Sequence, residues 1–425
     1  MPRLRSPSRR NSFLPAELRG PLLAGAGVFV ASWVFVSYVP VFSAWLYGDV
    51  RFYETWGGFM AGHLVPYRDF RIEYPPGALP IFLGPVYLRK FAGYHGTYYE
   101  WFRVELLVIG LLIEVAMAYA LAFLGASRRR AYAALCFAGA GPALLGPIAL
   151  SRFDYWPALL AVAAVAAFAA RRPMVACGFA AAGTAVKVYP AVLIPLALIE
   201  LWRREGSRAA AKGVALAVGI GAAIAVPFAI IAPHGITWAL HRQLHRPLQV
   251  ESLGAVFFAA AHEVAGVHLH VVKSAGSDNL VGSGPDVASA ILGVLTIVAL
   301  LAVYVLYFRS AGTREGLVAA SAAAVTAYIA FSKVFSPQYL VWLIPLVPLV
   351  GGRRGLRASA LLLVIVGMTQ VWSPYRYGDY HKMATAWLIW LVVARDLLVL
   401  VLLAVLMWPS GRNADELDPV RPAVV

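Results

Sequence analysis

The chain has 425 residues, 61% of them hydrophobic and 13% charged, against roughly 25% charged in a soluble globular domain. A mean hydropathy of +0.72 and recurring apolar runs of about 15 to 28 residues make lipid the solvent for most of the chain. That excludes a soluble enzyme, a disordered tail protein and a secreted disulfide scaffold, and the net charge of +15 then reports topology rather than nucleic-acid binding, because the arginines cluster in short gaps between apolar runs.

Taken in chain order, Arg3, Arg5, Arg9, Arg10 and Arg19 precede the first apolar run. Arg128 to Arg130, Arg171 with Arg172, and Arg203, Arg204, Arg208 and Lys212 follow, then Arg309 with Arg314, Arg353, Arg354 and Arg357, and finally Arg412 and Arg421. Placing these gaps in the cytoplasm puts both termini inside and every other gap outside. The count closes at about twelve spans: 20–42, 98–124, 131–149, 155–170, 173–186, 188–202, 212–232, 287–308, 315–332, 338–351, 358–372 and 384–408. The expected architecture is an all-α polytopic membrane protein. One membrane domain covers 20–408, its outer loops 43–97 and 233–286 carry the site, and cytoplasmic tails occupy 1–19 and 409–425.

Two segments decide that count. Tyr74 to Ala92 is apolar but short and carries Pro75, Pro76, Pro80 and Pro85, so it reads as an interfacial or re-entrant piece. Pro173 to Trp202 holds Lys187 and Pro190 at its middle. Two short helices meeting at Lys187 keep the later basic gaps inside.

Cys136 and Cys177 lie in apolar runs without metal-ligand or redox spacing. No nucleotide-binding glycine loop and no zinc-hydrolase helix motif is present. His262, His268 and His270 lack an acidic partner at a suggestive spacing, so no metal site is expected. Glu114 and the Arg395-Asp396 dipeptide fall inside spans and read as structural, the latter as an internal pair.

The predicted topology gathers the unusual polar residues on the outer side. The first outer loop holds Asp49 and Arg51, then Phe52, Tyr53, Trp56, Phe59 and Met60 at helical spacing, which suits a helix lying in the headgroup layer. Tyr67, Arg68, Asp69, Glu73 and Tyr74 follow. Smaller loops bring Arg152 with Asp154, Lys187 with Tyr189, and Lys333 with Gln338; the long loop adds His241, His245, Arg246, Gln249 and Glu251. Ionisable groups at a membrane edge are costly, so cations converging from several loops suggest an anion, most simply a lipid phosphate. Asp49 stands where the first span leaves the membrane, with no local need for a carboxylate there.

The order of these motifs resembles glycosyltransferase family 87, whose members are GT-C membrane glycosyltransferases. The membrane-exit Asp49 is followed by Pro66-Tyr67-Arg68-Asp69-Phe70, Glu73-Tyr74-Pro75-Pro76-Gly77, Arg152-Phe153-Asp154, Lys187-Val188-Tyr189-Pro190, Arg246-Pro247-Leu248-Gln249-Val250-Glu251-Ser252 and Lys333-Val334-Phe335-Ser336-Pro337-Gln338-Tyr339. The resemblance implies inverting transfer of a hexose, with mannose favoured, from a polyprenyl-phosphate donor to a lipid-linked or glycan acceptor. It places the reaction on the outer face of the plasma membrane. The family's first-loop Asp maps onto Asp49 and its lysines onto Lys187 and Lys333; the long loop matches less firmly.

The chemistry of the residues agrees with that reading. A sugar phosphate already carries a good leaving group, so cations and one base suffice, with no cofactor beyond the donor. Asp49 is the candidate base; burial would raise its pKa and Arg51 would lower it. The competing class is a transporter or flippase, which would show midplane polarity and repeat symmetry between halves. Neither is visible in the sequence.

Overall fold

A chain that leaves water must satisfy its backbone internally, and helix is the local way to do it. The computed structural model describes residues 15–43, 47–383 and 385–408; most of the first tail and all of the second lie outside them. In chain order, α1 (Ala16–Tyr38) is followed by a single turn, α2 (Pro40–Ser43), then by α3 (Val50–Ala61) and α4 (Leu79–Phe91). α5 (Tyr98–Phe123) starts at a capping box, in which Thr97 accepts from the Glu100 amide and the Glu100 carboxylate accepts from the Thr97 amide. Proline and glycine break the next segment into α6 (Arg128–Gly139), α7 (Gly141–Leu145) and α8 (Pro147–Ser151).

Next come α9 (Tyr155–Ala169), α10 (Pro173–Val186), α11 (Ile194–Glu205), α12 (Ser207–Ile231) and α13 (Pro233–Leu244). A small antiparallel sheet of order β1-β3-β2 joins β1 (Leu248–Gln249), β2 (Val271–Ser274) and β3 (Ser277–Leu280), with α14 (Leu253–Ala265) between its first two strands. Leu248 faces Leu280 across β1 and β3, and Gln249 faces Asn279. The chain ends with α15 (Ser283–Arg309), α16 (Arg314–Phe331), the short α17 (Leu340–Leu343), α18 (Gly352–Trp372), the single turn α19 (Tyr377–His381) and α20 (Ala386–Met407).

Among the described residues six helices, α1, α5, α12, α15, α18 and α20, are long and apolar enough to cross a membrane. The other expected spans fall on shorter, broken or less apolar helices, so length and composition establish six. α16 is buried along nearly its whole length, from Leu317 to Ala330. α12 is the opposite case, with only Ala209 and Gly213 buried. Its exposed Val214, Val218, Val226 and Ile230 are what a lipid-facing helix presents.

Several sequence expectations change in detail. The long loop 233–286 is a folded unit of two helices and a sheet, which departs from a purely helical chain. Residues 74–92 form α4 after a turn at Pro76–Ala78, packed against α3 and α5. The aromatic stripe of α3 divides: Phe52 and Phe59 stay exposed, while Tyr53 is buried, its ring 4.7 Å from Phe82 and 5.7 Å from Phe153. A helix that looked like a plain headgroup anchor is therefore half built into the core. Two glycines let these connecting pieces close on one another. A Cβ at Gly77 would lie 2.5 Å from the Ala185 carbonyl oxygen, and one at Gly235 would lie 1.9 Å from that of Tyr67. The segment between α3 and α4 therefore touches the end of α10 and the start of α13 backbone to backbone.

Candidate functional site

The break between α8 and α9 is the centre of the site. Arg152 leaves α8 in extended backbone, and its guanidinium forms an ion pair with Asp49. Asp49 sits at the N-terminus of α3 without capping it, because its carboxylate is turned to Arg152 instead of to the helix amides. Two residues on, Asp154 is fully buried. Its Oδ1 accepts from Lys187 Nζ at 2.6 Å and from Trp342 Nε1 at 2.7 Å.

Lys187 ends α10 in extended conformation. Its ammonium lies 5.0, 5.4 and 5.2 Å from the ring centroids of Phe153, Tyr339 and Trp342, an aromatic cage of the cation–π kind. Burial pulls the Lys187 pKa below the ordinary lysine value, while Asp154 opposes that shift. Tyr189 and Tyr339 stack on Trp342 with centroids 3.9 and 4.1 Å away.

These side chains face a cavity of about 690 Å³, large enough for a substantial ligand. Its lining divides by chemistry. Asp49, Arg152, Lys187, Glu73, Arg242, Gln243, Arg246, Gln249, Ser277 and Gln338 make one part polar. Ala217, Gly221, Ile224 and Ala225 of α12, with Ala181, Ala185 and Ile194, make the other apolar. Trp56, Trp238 and Tyr74 stand among the lining residues as well.

Most of the polar lining is neutralised in pairs. Besides Arg152 with Asp49 and Lys187 with Asp154, Arg242 Nε lies 2.8 Å from Glu73 Oε2, and Gln243 donates to the Glu73 carbonyl at 3.0 Å. Arg246 differs. It donates to Ser277 Oγ at 3.1 Å, its buried Nε has no partner, and among the described residues no carboxylate stands within ion-pair distance of it. Nearby Glu251 is buried, and burial pushes its pKa up to about 8, with Arg395 and Arg246 pulling the other way. That shift favours the protonated form of Glu251 and so weakens its compensation of Arg246.

Of the residues singled out from the sequence, Asp49, Tyr67, Glu73, Tyr74, Arg152, Lys187, Tyr189, Arg246, Gln249 and Gln338 line the cavity. Asp154 and Glu251 lie behind it as partners. Others do not reach it. Arg51 is exposed on α3, and Tyr53, two residues on and therefore roughly 200° around the helix, points inward. Arg68 and Asp69 pair with each other on the surface at 2.9 Å. His245 stacks on His241 with centroids 4.0 Å apart, and Lys333 donates to the Leu244 carbonyl at 2.7 Å. The expected five-loop cluster of cations is thus smaller than the sequence suggested, because short-range partners capture some of its members.

Trp238, Trp342 and Ser277 were absent from the sequence reading. Only Trp342 carried a local hint, one helical turn beyond Gln338. Among the described residues no group of three or more His, Cys, Asp and Glu side chains is placed to hold a metal ion.

The fold and the cavity together define a multi-pass membrane protein with a ligand space lined by both polar and apolar side chains. Residues 72–337 match the family model of glycosyltransferase family 87, and the chain belongs to that family. It is a membrane glycosyltransferase. The matched region includes Glu73, Arg152, Lys187, Arg246 and Lys333 and begins after Asp49. No curated protein sequence matches the chain.

Proposed function

We propose that the protein transfers a hexose, with mannose favoured through the family, from a polyprenyl-phosphate donor to a hydroxyl of a lipid-linked or glycan acceptor, with inversion. The observation that carries this reading is the divided lining of the cavity. A nucleotide sugar is polar throughout and has no use for the face built by Ala217, Gly221, Ile224 and Ala225. A lipid-linked sugar phosphate fits both halves at once.

In the proposed reaction the acceptor hydroxyl gives its proton to the Asp49 carboxylate as its oxygen bonds to the anomeric carbon. The bond from that carbon to the phosphate oxygen breaks, and its electron pair leaves with the lipid phosphate. Arg246, which among the described residues is the cavity-lining cation without a carboxylate partner, holds the departing phosphate. Arg152 orients Asp49. No cofactor beyond the donor is required, since the leaving group is already activated.

The same reading keeps about twelve spans, with the shorter helices completing the six long ones, both termini in the cytoplasm, and the cavity open to the outer face of the plasma membrane. The test is transfer of radiolabelled sugar in membranes containing the protein, offered either a polyprenyl-phosphate sugar or a nucleotide sugar. Incorporation from the polyprenyl donor alone is expected. Incorporation from the nucleotide sugar in membranes free of polyprenyl-phosphate carrier would overturn the assignment.

A further inference from the structure

Arg395 sits nine residues beyond the start of α20, roughly 14 Å along the helix, and is completely buried beside Asp396. A buried guanidinium is expensive, and a hydrophobic pair of similar volume often packs as well or better. Its neighbour compensates it poorly. Arg395 Nε lies 2.8 Å from Asp396 Oδ1, yet neither atom finds a hydrogen-bond partner, so the contact is badly aligned. What Arg395 does engage lies in three other segments. Its Nη2 donates to the Glu251 carbonyl at 3.0 Å. Its guanidinium carbon lies 4.1 Å from the ring centroid of Phe335 and 5.6 Å from that of Trp372.

Two of the segments it touches carry lining residues of the cavity. Gln249 lies two residues before Glu251, and Phe335 stands between Val334 and Ser336. The two segments are also tied directly, since the Gln249 amide donates to the Lys333 carbonyl at 3.0 Å. Beyond strand β1 the backbone at 250–251 is irregular and buried, so each of its polar groups needs a partner. Val250 receives the Tyr380 hydroxyl on its carbonyl at 2.7 Å, and Glu251 receives Arg395.

We propose that Arg395 is a positioning residue of the transfer site. It clamps the segment of Gln249 and the segment of Phe335 together from the α20 side and so sets the lining residues they carry. Stability alone does not account for it, because an apolar pair would serve stability at least as well. The inference rests on the reading of the cavity as the site of sugar transfer.

The test is a double variant, Arg395→Met with Asp396→Leu, in the full chain in detergent or nanodiscs. It removes the charged pair without leaving half of it buried. Thermal unfolding is expected at or above the wild-type temperature, while amide exchange over residues 248–252 accelerates about 10- to 100-fold, the effect of losing a hydrogen bond to a charged group. Turnover should fall, and Arg395→Lys, which keeps the charge but loses the planar fork, should lie between. Should the double variant not fold, Arg395→Gln with Asp396→Asn carries the same comparison. A folded double variant with wild-type exchange and wild-type turnover would overturn the proposal. If exchange accelerates but even the wild-type protein transfers no sugar, the clamp stands and the proposed function fails.

Discussion

Lys187 Nζ lies 2.6 Å from Asp154 Oδ1 within a cage of three aromatic rings, so this cation faces the cavity already neutralised. Arg246 faces the same cavity with a serine as its partner. The two basic residues are therefore partnered differently, Lys187 by a buried carboxylate and Arg246 by a hydroxyl.

Removing Lys187 leaves Asp154 buried with a single tryptophan donor. Lys187→Ala is expected to lose about 3 to 5 kcal/mol of stability, the usual cost of breaking a buried pair from one side, with Lys187→Met/Asp154→Leu recovering most of it. Thermal unfolding of the two variants beside the wild type checks this, and unaltered stability of Lys187→Ala would return the lysine to ligand binding.

Arg246→Ala should leave stability within about 1 kcal/mol of wild type, because its interactions with the chain are few. Donor binding should weaken roughly 10- to 150-fold through loss of a charge-assisted phosphate contact. Titration with a polyprenyl phosphate lacking the sugar isolates that contact. Equal affinity in the variant would remove Arg246 from the donor site.

Asp49→Asn keeps shape and removes basicity. Transfer should fall by about 10² to 10⁴ while donor binding persists. Glu73→Gln and Asp69→Asn serve as comparisons, since Glu73 is paired with Arg242 and Asp69 with Arg68. Near wild-type transfer by Asp49→Asn, with Glu73→Gln inactive, would move the base to Glu73.

Glu251 supplies a pH test. Its folded pKa of about 8 exceeds the value of an unfolded glutamate, so the native state keeps a proton that the unfolded chain releases. Its contribution to stability is complete below about pH 4.3 and declines as pH rises towards 8, by at most about 1.4 kcal/mol per unit. Glu251→Gln should flatten the stability profile over that window. A variant profile parallel to the wild type would show that Glu251 is ionised in the folded protein.

Cysteines introduced at Val188 and Val272, both exposed, should react with an impermeant thiol reagent in intact cells, in a background lacking Cys136 and Cys177. Cysteines at Arg129 and Arg353, exposed on the expected cytoplasmic side, should not. The reverse pattern would place the cavity mouth in the cytoplasm.

Much of this protein is local and therefore readable along the chain. Apolar runs dictate helices because an unsatisfied backbone in lipid is costly. Proline and glycine at Pro142, Gly146 and Pro147 mark the break that carries Arg152 and Asp154, and Lys187 marks the end of α10. Residue chemistry in the outer segments singled out most of the polar lining before any coordinates did. Pairing is another matter, because the partner of a charge is chosen by tertiary distance. Arg51 is two residues from Asp49 and points away from the core, whereas Arg152 arrives from the far end of α8 to hold it. Only the assembled fold decided that Lys187 is neutralised, that Arg246 is not, that Lys333 is spent on the Leu244 carbonyl, and that Arg395 braces the Gln249 and Phe335 segments. Periodicity and composition constrain what each residue can do within a few turns of chain, and the balance of charge in a cavity is settled by residues that meet only when the chain has folded.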